Sequence, residues 1–219
     1  MRNSLTPYAA DELVPDGATI MIGGFMGVST PVRFVDALVA RGARELTIIA
    51  NVTVRPGIGI DKLISAGAVS PAIVSHNGTN PETRCRMLAG DIVVELVPLG
   101  TLAKRVLTGG SGLGGVLTAT ALGTIVAEGK TVPTIGGREF LIEEAFRAAI
   151  AQVAARSANY AGNLAYSLTA RDFNPLMALA AGTVIAEPNE IVPASVLSPD
   201  IIHVPAIPVD QLVKRPLPP

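Results

Sequence analysis

Residues 18–22 (ATIMI) form a short apolar run between Gly17 and Gly23 and read as a buried strand. Gly23-Gly24-Phe25-Met26-Gly27 then reads as a loop. Thr30-Pro31 reads as a helix N-cap followed by proline at the first helical position. Phe34, Val35, Leu38 and Val39 fall on one helical face, and Gly42 is a natural terminator. Residues 46–50 (LTIIA) make the next strand, ending at Asn51. A helix between two such strands is a βαβ unit with a parallel pair.

The alternation continues less regularly. Residues 61–66 read as a short helix. Residues 69–75 read as a strand in which Pro71 marks an edge or a late start. The loop His76-Asn77-Gly78-Thr79-Asn80 leads into a helix over 81–89. Residues 92–97 (IVVELV) are a strand and 101–107 a helix. Residues 109–115 (GGSGLGG) form a flexible or close-packed glycine segment, and 131–141 a hairpin around Gly136-Gly137. Residues 145–156 (AFRAAIAQVAAR) fit both periods: alanine content favours helix, while Phe146, Ala148 and Ile150 alternate as in a strand. A helix opens at Asn174-Pro175 and runs to Ala181, a late strand covers 183–187 (TVIAE), and the tail KRPLPP is expected to be poorly ordered. The pattern predicts an α/β fold: one domain over residues 1–219, with a largely parallel or mixed central sheet flanked by helices.

Composition narrows the function. The 219 residues carry 17 Lys+Arg against 18 Asp+Glu, a net charge of −1, which gives no electrostatic case for nucleic acid or an anionic membrane. Charged residues are 16% and apolar residues 49%, which excludes disorder and leaves apolar surface for subunit interfaces. Eight aromatics, 5 Phe and 3 Tyr, do not make a stacking platform for bases. A single cysteine, Cys85, fits a reducing cytoplasm. The opening residues lack an apolar core, and 176–186, the longest apolar-rich stretch, is too short for a membrane span. The expectation is a cytoplasmic, soluble protein.

Candidate chemistry lies in the loops after the strands, because parallel sheets bind ligands at their carboxyl ends. In the loop Gly24 to Thr30, unencumbered amides and the positive end of the following helix can meet a phosphate. The pattern is neither G-x-G-x-x-G nor a P-loop, so a plain βα turn is the competing reading. Asn51, the loop 76–80 and Gly100-Thr101 follow three further strands. Each alone reads as a turn or cap; together with the glycine loop they can line one cleft. Other chemistry is thin. Two histidines (His76 and His203) and Cys85 offer no metal-ligand spacing, and Cys85 reads as a packing residue. Glu143-Glu144 reads as a solvated turn; Arg33 and Arg84 can bind phosphate or carboxylate, with a solvated helix face as the default reading of each.

Several segments together resemble family I CoA-transferases, specifically their α (A) subunits. They are DGATIMIGGFMGVSTP (16–31), LTIIAN (46–51), HNGTNPET (76–83), GTL (100–102), GGSGLGG (109–115) with LGT (122–124), AGNLAY (161–166) and ARDFNPLMALAA (170–181), in the family's order across nearly the whole chain. The nearest resemblance is to acetate/acetoacetate, or short-chain acyl, CoA-transferases.

The resemblance implies a ping-pong reaction in which a glutamate takes CoA from a thioester as glutamyl-CoA and passes it to a second carboxylic acid. In two-chain members that glutamate lies in a Glu-x-Gly context on the β subunit. No such context exists here, so the resemblance puts no catalytic nucleophile on this chain and requires a β partner, in an α2β2 assembly. It implies acyl-CoA as substrate, with no metal and no tightly bound cofactor. It maps Gly24, Phe25, Met26, Gly27, Val28, Ser29 and Thr30 onto the CoA-contacting loop. Asn51, Val52, Asn77, Gly78, Leu99 and Gly100 map onto the substrate and oxyanion region.

The chain also departs from the pattern. Ser29 stands at a family glycine; if that position needs a positive φ, serine costs roughly 1 kcal/mol. Leu99 replaces a glutamine whose amide helps to hold the oxyanion, a loss of about 10²–10³ in rate for a donor of that kind. Val52 replaces a polar residue, Lys104 a glutamate, and Ala149 an aspartate near a strand end. Leu99 and Val52 together would make the pocket more apolar, favouring a longer acyl group than acetoacetate. The rival readings keep the scaffold with altered chemistry, as an acyl-CoA hydrolase or ring-cleaving enzyme, or as a non-catalytic CoA-binding subunit.

Overall fold

The computed structural model describes residues 4–167 and 171–214. In chain order the elements are β1 (Ser4–Leu5), α1 (Pro7–Asp11), β2 (Thr19–Ile22), α2 (Val32–Arg41), β3 (Leu46–Val52), α3 (Ile60–Ser65), β4 (Val69–His76), α4 (Pro81–Ala89), β5 (Val93–Leu96) and α5 (Leu99–Gly110). There follow β6 (Gly115–Thr118), β7 (Thr134–Ile135), β8 (Arg138–Glu139), β9 (Leu141–Glu144), β10 (Ala148–Asn159), β11 (Leu164–Ala165), α6 (Asn174–Leu179), β12 (Ala181–Val192) and β13 (Gln211–Val213).

Eight parallel strands run in the order β1-β13-β12-β10-β2-β3-β4-β5, and β11 pairs antiparallel with β10. Alternation along the strands divides the core in two. Ile20, Ile22, Ile48, Ala50, Ala72 and Val74 pack with Phe34, Leu38, Leu63 and Ile64 of α2 and α3. Met21, Ile49, Ala151 and Val153 pack on the other face with Leu102 and Val106 of α5 and Met177 of α6. Strands covered on both faces lose the apolar–polar alternation, and this explains the double reading of 145–156. The segment is the central strand β10, paired with β2 on one side and β12 on the other.

Several expectations are corrected. Pro71 does not mark an edge: β4 lies between β3 and β5, and the proline sits where the β3–β4 register shifts, where a missing N–H is tolerated. Helix α5 starts two residues before the expected 101 and absorbs Gly109-Gly110. A Cβ at Gly109 would stand 1.9 Å from the Phe146 carbonyl oxygen, so this part of the glycine segment is close-packed. The strand expected over 183–187 is β12, twelve residues long rather than five, and β13 follows it. The hairpin at Gly136-Gly137 forms as β7–β8, on an arm that also pairs β6 with β9. Glu143 is no solvated turn. It is buried at the base of this arm, 2.7 Å from Lys130 Nζ and 3.4 Å from Arg105 Nη1. Cys85 is exposed on α4 rather than packed. Lys214 donates its amide to Leu5; the rest of the tail lies outside the described residues.

Candidate functional site

From β2 the chain proceeds outward through β3, β4 and β5; from β10 it proceeds the other way through β12 and β13. The strand order therefore reverses between β2 and β10, and a crevice beyond their carboxyl ends is where open parallel sheets bind ligands. The glycine loop stands there.

The loop is a miniature hairpin. Phe25 and Val28 exchange both backbone hydrogen bonds, at 3.0 and 2.9 Å, around Met26 (φ 52°) and Gly27 (φ 89°). Its tip presents two apolar side chains, Phe25 and Val28, 37% and 45% exposed. Ser29 follows at φ 55°, so the position does require a left-handed backbone, and a side chain there costs about 1 kcal/mol. The loop then folds back on its own start: a Cβ on Gly24 would stand 2.3 Å from Thr30 Oγ1. Gly27 faces the next loop, where a Cβ would meet Ile58 at 3.1 Å and Val54 at 3.4 Å. Val54 itself sits at φ 65°, an unusual conformation for a β-branched residue.

Both ends of the loop are tied to the opposite half of the sheet. At its entry, the Gly23 amide donates to Gln152 O of β10 at 2.9 Å. Beside it, Asn174 Oδ1 accepts from Ala154 N at 3.2 Å and fills the space a Gly23 side chain would need. At its exit, Thr30 is not the N-cap of α2. That position is Pro31, with no side-chain cap bond of its own. The cap comes from β12: Glu187 Oε1 accepts from Arg33 N at 3.2 Å and Oε2 from Phe34 N at 2.8 Å. Arg33 Nε lies 3.5 Å from the same carboxylate, and Arg33 Nη2 donates to Pro188 O at 2.9 Å. Burial pushes the Glu187 carboxyl above its ordinary range, Arg33 and the two amides oppose this, and Asp36 adds to the rise. The expectation that the positive end of α2 is open to a phosphate is thereby corrected: a carboxylate of the chain already fills it. Nothing local in the sequence announces Glu187, Gln152 or Asn174 as parts of the site; only the strand pairing brings them there.

On the other side of the loop, Asn51 is buried and turned to the α5 side of the sheet. Ser75 Oγ donates to Asn51 O or Oδ1, at 2.7 and 2.8 Å, and Asn51 Nδ2 has no partner among the described residues. A buried amide donor left unpaired is costly and poised to bond a ligand. Val52, one residue on, is buried on the opposite, α2 side, so it does not share a surface with Asn51. Asn77 and Gly78 form the turn into α4: Asn77 O accepts from Asn80 N, and Asn77 Nδ2 points to Met87 Sδ at 3.8 Å, away from the crevice. Asn80 caps α4 through Thr83 N and ties the loops together, its Nδ2 reaching Thr53 O at 3.0 Å and Asp61 Oδ1 at 2.8 Å.

Leu99 and Gly100 form the first turn of α5, both exposed, Leu99 at 48%. Pro98 at the N-cap offers no side-chain acceptor, and among the described residues no side chain caps the first amides of α5, which begins at the same edge as the glycine loop. Of the remaining departures, Lys104 is exposed along α5, and Ala149 lies at the start of β10, the far edge of the sheet. A second concavity of about 310 Å³ lies past the ends of β10 and β12, lined by Arg156, Tyr166, Arg171, Glu190 and His203 among others. Burial, with Arg171 nearby, lowers the His203 imidazole below its ordinary value.

Comparison with known proteins identifies the family. The family profile described as Coenzyme A transferase matches residues 7–215. The chain is 49% identical over 209 residues to the acetate CoA-transferase subunit alpha of Escherichia coli, covering 95% of each chain. It is 43% identical over 201 residues to the acetoacetyl-CoA:acetate/butyrate CoA transferase alpha subunit of Clostridium acetobutylicum, covering 92% of each. Among solved structures it superposes on an acyl-CoA transferase of E. coli O157:H7 with a TM-score of 0.89 at 21% identity, spanning 98% of this chain and 47% of that one. On the glutaconate coenzyme A-transferase of Acidaminococcus fermentans the TM-score is 0.83 at 20% identity, covering 96% and 74%. The α/β scaffold and the sequence likeness over nearly the full length agree: this chain belongs to the coenzyme A transferase family, among its α subunits.

Proposed function

We propose that the chain, with a β partner in an α2β2 cytoplasmic enzyme, moves CoA between short-chain acyl-CoA and carboxylic acids of the acetate/acetoacetate type. The observation that carries this reading is the strained hairpin Phe25–Val28 at the strand-order reversal, with the Asn51 amide, unpaired among the described residues, at the end of the adjacent strand β3 and the uncapped end of α5 at the same edge of the sheet. The partner supplies the glutamate that becomes glutamyl-CoA. This chain holds the CoA thioester through residues 24–30, orients the acyl group through Asn51, and meets the developing oxyanion with the free amides of Leu99 and Gly100. Backbone donors at a helix N-terminus do what the missing side-chain amide at position 99 does elsewhere in the family. The proposed reaction needs no metal and no resident cofactor.

The half-exposed Leu99 at that turn favours an acyl chain longer or less polar than acetoacetate. Transfer rates measured across acyl-chain lengths test this, and an optimum at acetate and acetoacetate would refute it.

The primary experiment co-purifies the chain with its β partner and follows transfer from acetoacetyl-CoA to acetate, with mass spectrometry of the stalled enzyme. The expected result is transfer, with CoA covalently attached to the partner and none to this chain. Hydrolysis without transfer would favour the altered-chemistry reading. Binding without any covalent adduct would favour a non-catalytic subunit.

A further inference from the structure

The glycine loop carries left-handed conformations at Met26 and Ser29 that isolated chains avoid, so its shape depends on what holds its ends. Its entry is fixed by a backbone bond to β10. Its exit is fixed by one side chain: Glu187, buried at the C-terminal part of β12, with each carboxylate oxygen on a separate amide of α2.

We propose that Glu187 is a positioning residue for acyl-CoA binding: its carboxylate, backed by Arg33, locks the start of α2 against β12 and so holds the glycine loop in its binding shape. This rests on the reading of that loop as the acyl-CoA contact.

Three features separate this role from ordinary packing. The carboxylate spans the switch point, joining the two halves of the sheet where the ligand crevice opens. It is a charged group kept in a buried place, where an apolar residue would cost less desolvation. It also occupies the amides of Arg33 and Phe34, which removes the end of α2 as a competing anion site. A phosphate or acyl carboxylate entering the crevice is therefore left the amides of the loop and of α5, not those of α2. Arg33 completes the lock by donating to Pro188 O, one residue beyond Glu187 on β12.

The test uses the full chain assembled with its β partner, as wild type, Glu187→Gln and Glu187→Ala. Two readouts are taken: amide exchange over residues 23–34 without ligand, and the steady-state kcat and KM for acetoacetyl-CoA. In Glu187→Ala, exchange over 25–34 is expected to rise at least about ten-fold while β3 and β4 keep wild-type rates. KM is expected to rise about five- to twenty-fold with kcat changed by less than about three-fold, the signature of lost binding rather than lost chemistry. Glu187→Gln retains one acceptor oxygen and should fall between the two. Wild-type exchange at 25–30 in both variants, or a fall in kcat at unchanged KM, overturns the proposal. If Glu187→Ala does not assemble, Glu187→Gln alone decides it by the same criteria. A wild-type complex without transferase activity would refute the functional reading, while the exchange comparison would still decide the role of Glu187.

Discussion

Two helices begin at the same edge of the sheet, and their first turns are treated in opposite ways. The N-terminus of α2 is filled by Glu187, a carboxylate delivered from a strand more than 150 residues later in the chain. The N-terminus of α5 follows Pro98, has no capping side chain, and presents Leu99 and Gly100 to solvent. Both ends carry the partial positive charge of aligned peptide dipoles, worth about 0.3–1 kcal/mol to a nearby anion. Only α5 has that charge to offer. In this chain the end of α2 is therefore a structural anchor, and the end of α5 is the place for a developing oxyanion.

The largest expected effect breaks the α5 side of that contrast. Leu99→Pro and Leu99→Ala both remove the leucine side chain, but only proline removes the amide. Proline is well tolerated at the first helical position, and the preceding residue, Pro98, is already extended with ψ 134°. The proline variant should transfer CoA about 10²-fold more slowly than the alanine variant, with equal thermal stability. Equal rates would show that the Leu99 amide takes no part.

The next effect tests the neighbouring helix, α4, which is capped from within. Asn80→Ala removes the cap at Thr83 and the Asn80 amide from Oδ1 of the buried Asp61, whose Oδ2 keeps the Gly57 amide. A loss of about 2–3 kcal/mol in denaturant unfolding is expected. A loss below about 0.5 kcal/mol would mean that the loop network around Thr53 and Asp61 is held by something else.

A smaller gain should come from the loop itself. Ser29→Gly relieves the φ 55° backbone and should stabilise the chain by about 1 kcal/mol, less what the freer unfolded glycine returns. Destabilisation would show that the serine side chain makes up for the strain.

The smallest effect is a pH slope. Burial leads the causes that raise the Glu187 carboxyl, so in the window between its ordinary value of 4.5 and its higher folded value the folded chain binds the extra proton. Stability contributed by this group therefore falls as pH rises through that window and returns on acidification. The unfolding free energy of the wild type minus that of Glu187→Gln should show this slope; an opposite slope would mean that Arg33 and the amide donors outweigh burial.

What the sequence disclosed follows the same local-versus-remote division. The helix over 81–89 was readable because the loop and Pro81 that open it adjoin it in the chain; that Asn80 caps it came from the structure. The loop 23–27, the strands at 18–22 and 46–50 and the hairpin at Gly136-Gly137 were readable because two- and four-residue patterns carry them. The strain at Ser29 was readable only through the family glycine that it replaces. Glu187, Gln152 and Asn174 were not readable, since each reaches the site through strand pairing across the switch point. Residues 145–156 hid for a related reason: a strand buried on both faces has no alternation to show. Val52 and Asn77 stand close to the crevice in sequence, but alternation and a turn direct their side chains elsewhere.

The most direct test of the account is amide exchange of the assembled wild-type enzyme with and without acetoacetyl-CoA. Protection on binding is expected at residues 25–29 and at Leu99 and Gly100, with Arg33 and Phe34 slow in both states because Glu187 already holds them. Fast exchange at Arg33 and Phe34 in the free enzyme, slowed by ligand, would place the anion on α2 and contradict it.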